Sequence, residues 1–175
     1  MTPKPVRLKK DFYTEDVLVV APSLLGKTLV VDLPGCGSLR HMITEVEAYR
    51  GEEDKACHAA KGRTKRTEVM YSEGGRVYVY FVYGMYWMLN IVTGREDDPQ
   101  AVLIRGLEGI NGPGRLTKKL SITGDLYGED LTTSQRIWIE DNGIAPFYNT
   151  TPRIGIGYSG EPWISKPWRF IIEKK

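Results

Sequence analysis

Glu45 and Glu47, followed two residues later by Tyr49, are side chains whose types and spacing could do hydrolytic chemistry in this 175-residue chain. They lie in LRHMITEVEAY, whose alternation predicts a strand with Glu45, Glu47 and Tyr49 on one face and Thr44, Val46 and Ala48 on the other. A carboxylate on a strand suited to burial costs stability unless it is partnered or used, so Glu47 is a candidate site residue; a solvated sheet face is the competing reading. Arg105 sits amid Val102, Leu103, Ile104 and Leu107. A guanidinium there needs a carboxylate, a carbonyl or a water, and a plain internal ion pair would also satisfy it. His58 lies in a polar loop, where a lone histidine more often hydrogen-bonds than ligates. With 2 histidines, 2 cysteines and no C-x-x-C pair, neither a metal site nor a cofactor is expected.

Several flat rings could gather beside these groups. Tyr78 and Tyr80 share a strand face, and Tyr83 falls at a bend, although an aromatic core is the simpler account of Tyr78 or Tyr86. Lys61, Arg63, Lys65 and Arg66 form one basic cluster, and Arg115, Lys118 and Lys119 at a Gly-rich helix start form another. Either alone reads as a solvated charge run. Together with stacking rings they suggest extended nucleic acid, because phosphate contacts give position and aromatic faces hold a splayed base.

The elements that must position these groups follow from pattern. Asp16 can cap a helix over 17–25 that Gly26 ends and Pro22 bends or shortens. A strand fits 27–32, and a turn at 34–37 leads into the glutamate strand. Residues 50–66 read as a polar loop with a turn of helix near 54–60. Strands at 76–83 and 86–93 are joined by a tight hairpin at Tyr83-Gly84, and a further strand fits 101–109. A Gly/Pro loop then opens a short helix, with late strands in IWIED, RIGIGY and RFIIE. Consecutive strands without regular helical alternation predict a mixed α/β (α+β) class with a largely antiparallel sheet.

A hydrophobic content of 41% fits one domain, residues 1–175, around one core. The net charge of +2 excludes a polybasic coat, so any nucleic-acid site must be local. No apolar run reaches the length of a membrane span and no signal-peptide pattern is visible, so a cytoplasmic protein, monomeric by default and without a membrane partner, is expected.

The ordered segments ITEVEAYRGEEDKACHAAKGRT, VYVYFVYGMYWMLNIVTG and AVLIRGLEG closely resemble the alkyladenine (3-methyladenine), or methylpurine, DNA glycosylase family. The likeness extends from Asp11-Phe12-Tyr13 and LLGK to GPGRLTKKL, RIGI and PWRF. It implies one domain with a curved antiparallel sheet, short helices and a protruding β-hairpin that inserts into DNA. It also implies damaged double-stranded DNA as the partner. By the resemblance, Glu47 is the general base and Arg105 holds the nucleophilic water; Tyr49, His58 and Tyr80 enclose the extruded base. Asn90 crowds the amino group of a normal guanine, and Tyr83 fills the gap left in the DNA. Arg63, Arg66, Arg115 and Lys118 are the expected phosphate contacts. Two rivals stand beside this reading: a carbohydrate hydrolase using Glu45 and Glu47, whose Cα atoms would lie ~6.6 Å apart on a strand, and a non-catalytic module that stacks bases on a tyrosine-rich sheet.

Overall fold

The structure is a computed structural model that describes residues 4–173. Among them, ten strands run in chain order: β1 (Val6–Arg7), β2 (Thr28–Leu33), β3 (Gly37–Arg50), β4 (Val77–Val82), β5 (Tyr86–Thr93), β6 (Gln100–Leu107), β7 (Ile110–Asn111), β8 (Ile137–Asp141), β9 (Tyr148–Thr151) and β10 (Arg169–Ile172). The α-helices are short: α1 (Lys10–Tyr13), α2 (Val17–Leu24) and α3 (Pro113–Lys119). All strands join one antiparallel sheet in the order β1-β8-β2-β3-β6-β5-β4, with β10 bridging β3 and β9 and with β7 on β6. The predicted single-domain α+β class with a largely antiparallel sheet is the observed one.

The 14-residue β3 is the spine: its first half pairs with β2, its second half with β6 and β10. Ile43 faces Leu107, Glu45 faces Gly106, and Val46 faces Ile104, which leaves Thr44 on β3 and Arg105 on β6 without opposite residues. Two compensating bulges therefore flank Glu45. A bulge re-aims its side chain, and here it turns Arg105 toward the glutamates of β3.

Both faces of the sheet's centre are covered. Val46, Ala48, Val77, Val79, Leu89, Ile91, Val102 and Ile104 pack into the main core with residues of α2 and α3. On the opposite face Tyr78, Val92 and Ala101 meet Cys57, Ala59, Val69, Met70 and Tyr71, with Tyr49 and Tyr80 against them. The register explains this second face: Glu47, Leu103, Asn90 and Tyr78 are successive cross-strand partners, and Tyr49 lies opposite Ala101.

Local signals set α2 as expected. Asp16 accepts from the Leu18 N–H at 2.9 Å, and Gly26 takes φ 83° beyond the helix end. The strand predicted over 101–109 stops at Leu107, because Gly109 at φ 76° turns the chain back into β7. One expectation fails: RIGIGY is not a strand but a covering loop that ends in a 3₁₀ turn, Gly157–Ser159. Its alternation does not correspond to burial: Arg153, Ile156 and Ser159 are buried while Ile154 and Tyr158 are exposed, and the Ile154 N–H goes to a carboxylate instead of a ladder partner. The strand that does form there is β9, a polar and mostly exposed segment without an amphipathic pattern.

Candidate active site

Glu47 is completely buried, so the solvated-face reading does not hold for it. Its Oε1 accepts the Ile154 N–H at 2.8 Å and lies 3.4 Å from Arg105 Nε; its Oε2 accepts the Tyr49 hydroxyl at 2.7 Å. Burial pushes its pKa above the ordinary carboxylate value, opposed by the Arg105 charge, the Tyr49 hydroxyl, the Ile154 N–H and the Arg153 charge. A carboxylate held this way is a stronger base than a free one. Glu45 has a different environment: Arg105 Nε donates to it at 3.3 Å and Arg169 Nε at 2.6 Å. Two guanidinium partners make Glu45 an orienting group for Arg105, which removes the second working carboxyl that the carbohydrate hydrolase reading needs.

In front of Glu47 is a cavity of about 50 Å³, lined by Tyr49, His58, Tyr78, Tyr80, Asn90 and Tyr158 among others. His58 reaches it because residues 58–61 form a 3₁₀ turn over the sheet. Its Nδ1 lies 2.8 Å from the Tyr78 hydroxyl, and its ring centroid is 4.5 Å from that of Tyr80. Burial, with the Arg66 and Lys61 charges, lowers its pKa to about 4, so the imidazole is neutral near pH 7. Asn90 donates through Nδ2 to the Tyr78 and Met88 carbonyls at 3.2 and 3.3 Å, which fixes its amide. A wider groove of about 450 Å³, with Lys55, Lys61 and Arg66 on its walls, adjoins the cavity through Cys57, His58 and Tyr158.

Tyr83 stands apart from the cavity at the tip of the β4–β5 hairpin, 88% exposed. Tyr83 and Gly84 both take positive φ, 53° and 63°, in a turn closed by the Met85 N–H on the Val82 carbonyl at 3.1 Å. That is the I′ geometry which suits the twist of a hairpin. The expected phosphate contacts separate into two groups. Arg63 is ion-paired with Asp97 and Glu68 and stacks over Tyr71, so its charge is already committed. Arg66 lies over the Tyr80 ring at 4.9 Å, while Arg115 and Lys118 are exposed on α3, Lys118 in a groove beside Met85 and Trp87.

The family model for methylpurine-DNA glycosylase (MPG) matches residues 11–111 and 108–175. This chain belongs to the methylpurine-DNA glycosylase family. A Wolbachia pipientis wMel protein is 48% identical over 93% of this chain and 89% of its own length, and a Methanocella arvoryzae protein is 44% identical over 93% and 90%. A Sodalis glossinidius protein is 47% identical over 93% of this chain and 95% of its own. Each bears the name "Putative 3-methyladenine DNA glycosylase".

For this methylpurine-DNA glycosylase family member, Tyr49, His58, Tyr80 and Asn90 line one cavity, and Glu47, with Arg105 beside it, joins that cavity through the Tyr49 hydroxyl. It adds groups that sequence reasoning missed. Arg169, Arg153, Asp54 and Tyr158 all touch the site, each through a partner more than 100 residues away or nearly so, as in the Arg153 to Asp54 separation of 99. Arg153 and Arg169 fall in the late RIGI and PWRF segments of the likeness and Asp54 in its first segment, but nothing in the pattern singled these residues out. Among the described residues no cluster of metal-ligating side chains occurs, and no helix is long and apolar enough to cross a membrane.

Proposed function

We propose that this methylpurine-DNA glycosylase extrudes an alkylated or deaminated purine from duplex DNA and hydrolyses its N-glycosidic bond with a water activated by Glu47. The observation that carries the reading is a fully buried glutamate, hydrogen-bonded from both sides and set one side chain behind an aromatic cavity. Glu47 takes a proton from water as the water oxygen bonds to the anomeric carbon, and the bonding pair of the C–N bond leaves with the base. A cationic alkylated purine thereby leaves neutral, whereas a neutral deaminated purine takes up a proton from solvent as it leaves, and Glu47 returns its own proton to solvent. Its charge also stabilises the oxocarbenium-like transition state, with Arg105 holding the water. The products are a free purine and an abasic site, and no covalent enzyme intermediate forms.

A cavity of about 50 Å³ is smaller than ligand pockets of roughly 300–1,000 Å³, so the rings must part to admit a base. Tyr49, His58 and Tyr80 then enclose the base, and stacking worth about 1–3 kcal/mol favours electron-poor purines. Asn90, its amide pinned, crowds the exocyclic amino group of guanine. Tyr83 fills the space left in the duplex, and Arg66, Arg115 and Lys118 hold phosphates. The enzyme works as a cytoplasmic monomer, nucleoid-associated in a bacterial cell.

The test is strand cleavage by alkali after incubation with duplexes carrying an alkylated purine, hypoxanthine, ethenoadenine or no lesion. The parent nicks at one or more lesions, and Glu47→Gln binds the same duplexes but releases no base. Binding without release by the parent would favour the stacking module instead.

A further inference from the structure

Arg153 and Asp54 form an ion pair whose side chains are both completely buried, with Nη1 to Oδ2 at 2.6 Å and Nη2 to Oδ1 at 2.9 Å. Removing two charges from water is expensive, and apolar residues of similar volume usually hold a fold as well. The location of this pair distinguishes it from a generic core contact. Asp54 also accepts the N–H groups of Arg50 and Ala56, and so shapes the turn that leads to Cys57 and His58 in the cavity wall. Arg153 Nη1 also donates to the Ala48 carbonyl at 2.9 Å, between Glu47 and Tyr49 on β3. Its guanidinium lies between the rings of Tyr49 and Trp168, at 4.8 and 5.0 Å from their centroids. Tyr49 lines the cavity and Arg153 does not, so the cation backs the ring from behind. The next residue, Ile154, supplies the N–H on Glu47 Oε1.

We propose that Arg153, anchored by Asp54, is a positioning residue for base excision: it locks the carboxylate of Glu47 and the ring of Tyr49 in their working orientation and ties the His58 turn to the loop that covers them. The assignment rests on the glycosylase reading above. Three segments that each carry part of the site, β3, the 50–58 turn and the 152–168 loop, converge on one planar cation whose fork geometry a lysine cannot reproduce. The Arg153 charge also acts on Glu47 together with its other neighbours: Tyr49 from β3, Arg105 from β6, Tyr80 from β4, and the Ile154 N–H and Tyr158 from the covering loop, with Glu45 and its partner Arg169 next along the sheet.

Two variants, Arg153→Lys and Arg153→Met paired with Asp54→Asn, separate geometry from charge. Single-turnover release of free base from chemically methylated duplex DNA is measured against pH and normalised to folded protein, beside the Kd for the same duplex and the melting temperature. Both variants should lose about 10²-fold in rate, as for a misplaced catalytic group, while Kd changes only a few-fold. The acid limb should move to higher pH in the double variant, where the cation is gone, and stay near the parent's in Arg153→Lys. A pair that merely held the fold would lower the melting temperature and leave rate per folded molecule and limb unchanged, and that result would overturn the assignment. Failure of the parent to release base would instead sink the glycosylase reading itself, so the two failures are distinguishable.

Discussion

Burial sets the chemistry of Glu47, and its partners temper it. The desolvated carboxylate has a raised pKa, and the Arg105 charge, the Tyr49 hydroxyl and the Ile154 N–H each pull it back toward the ionised form. A general base works only when ionised, so excision rises with pH through that raised value, and the acid limb lies above the ordinary glutamate pKa of about 4.3. Tyr49→Phe deletes one stabilising donor and should shift the limb further up while keeping the stacking ring. The check is single-turnover excision against pH for parent and variant; a limb that fails to move would remove the Tyr49 hydroxyl from the account. His58 contributes no limb near neutrality, because its pKa falls to about 4.

At the scale of elements, the hairpin and the β3–β6 bulge place these groups. Tyr83 takes φ 53°, a region that strains non-glycine residues by about 1–2 kcal/mol, and its ring is almost wholly exposed. Tyr83→Gly should therefore fold at least as stably as the parent by denaturant melt, yet excise poorly from a fully paired duplex. The loss should shrink when the lesion faces a mismatch, since an already unpaired base costs less to extrude. Equal excision from both duplexes at the parental rate would show that Tyr83 is no wedge. In the bulge, a Cβ on Gly106 would meet Glu45 Cβ and Thr44 Oγ1 at 3.0 Å each. Gly106→Ala should cost roughly 1–3 kcal/mol and slow excision by displacing Glu45, the anchor of Arg105. Melts and single-turnover rates on one preparation separate the two effects.

At the scale of the whole molecule, a net charge of +2 leaves little general attraction for DNA, so the salt dependence of binding reports individual cations. Each phosphate contact contributes about 0.9 to the slope of log K against log salt. Lys118→Ala should lower that slope by about this amount. Arg63→Ala should leave it unchanged, because Asp97 and Glu68 already neutralise Arg63. Fluorescence anisotropy over a salt series distinguishes them, and a drop for Arg63→Ala would mean that its ion pairs open on DNA. The wider architecture supports a local interface: the sheet is buried on both faces near its centre, and the basic groove opens beside the cavity.

The sequence by itself determined what local chemistry and periodicity control. Asp16 and Gly26 bounded a helix, Tyr83-Gly84 announced a hairpin, and alternation put Glu47 and Tyr49 on one face of a strand with Val46 and Ala48 on the other. The family resemblance then singled out Glu47 from Glu45. Only the tertiary structure decided how these groups are held. The bulge that aims Arg105 depends on the register of β3 against β6, 60 residues apart for Glu45 and Arg105. The covering loop read as a strand because alternation cannot tell a ladder from a loop whose N–H binds a buried carboxylate 107 residues away. Asp54 looks like an ordinary polar loop residue in the chain and Arg153 like the start of a late strand, and a buried cation behind Tyr49 exists only once three distant segments close around it. Residue type and local spacing thus set which groups could react, and long-range packing set their burial, partners and charge.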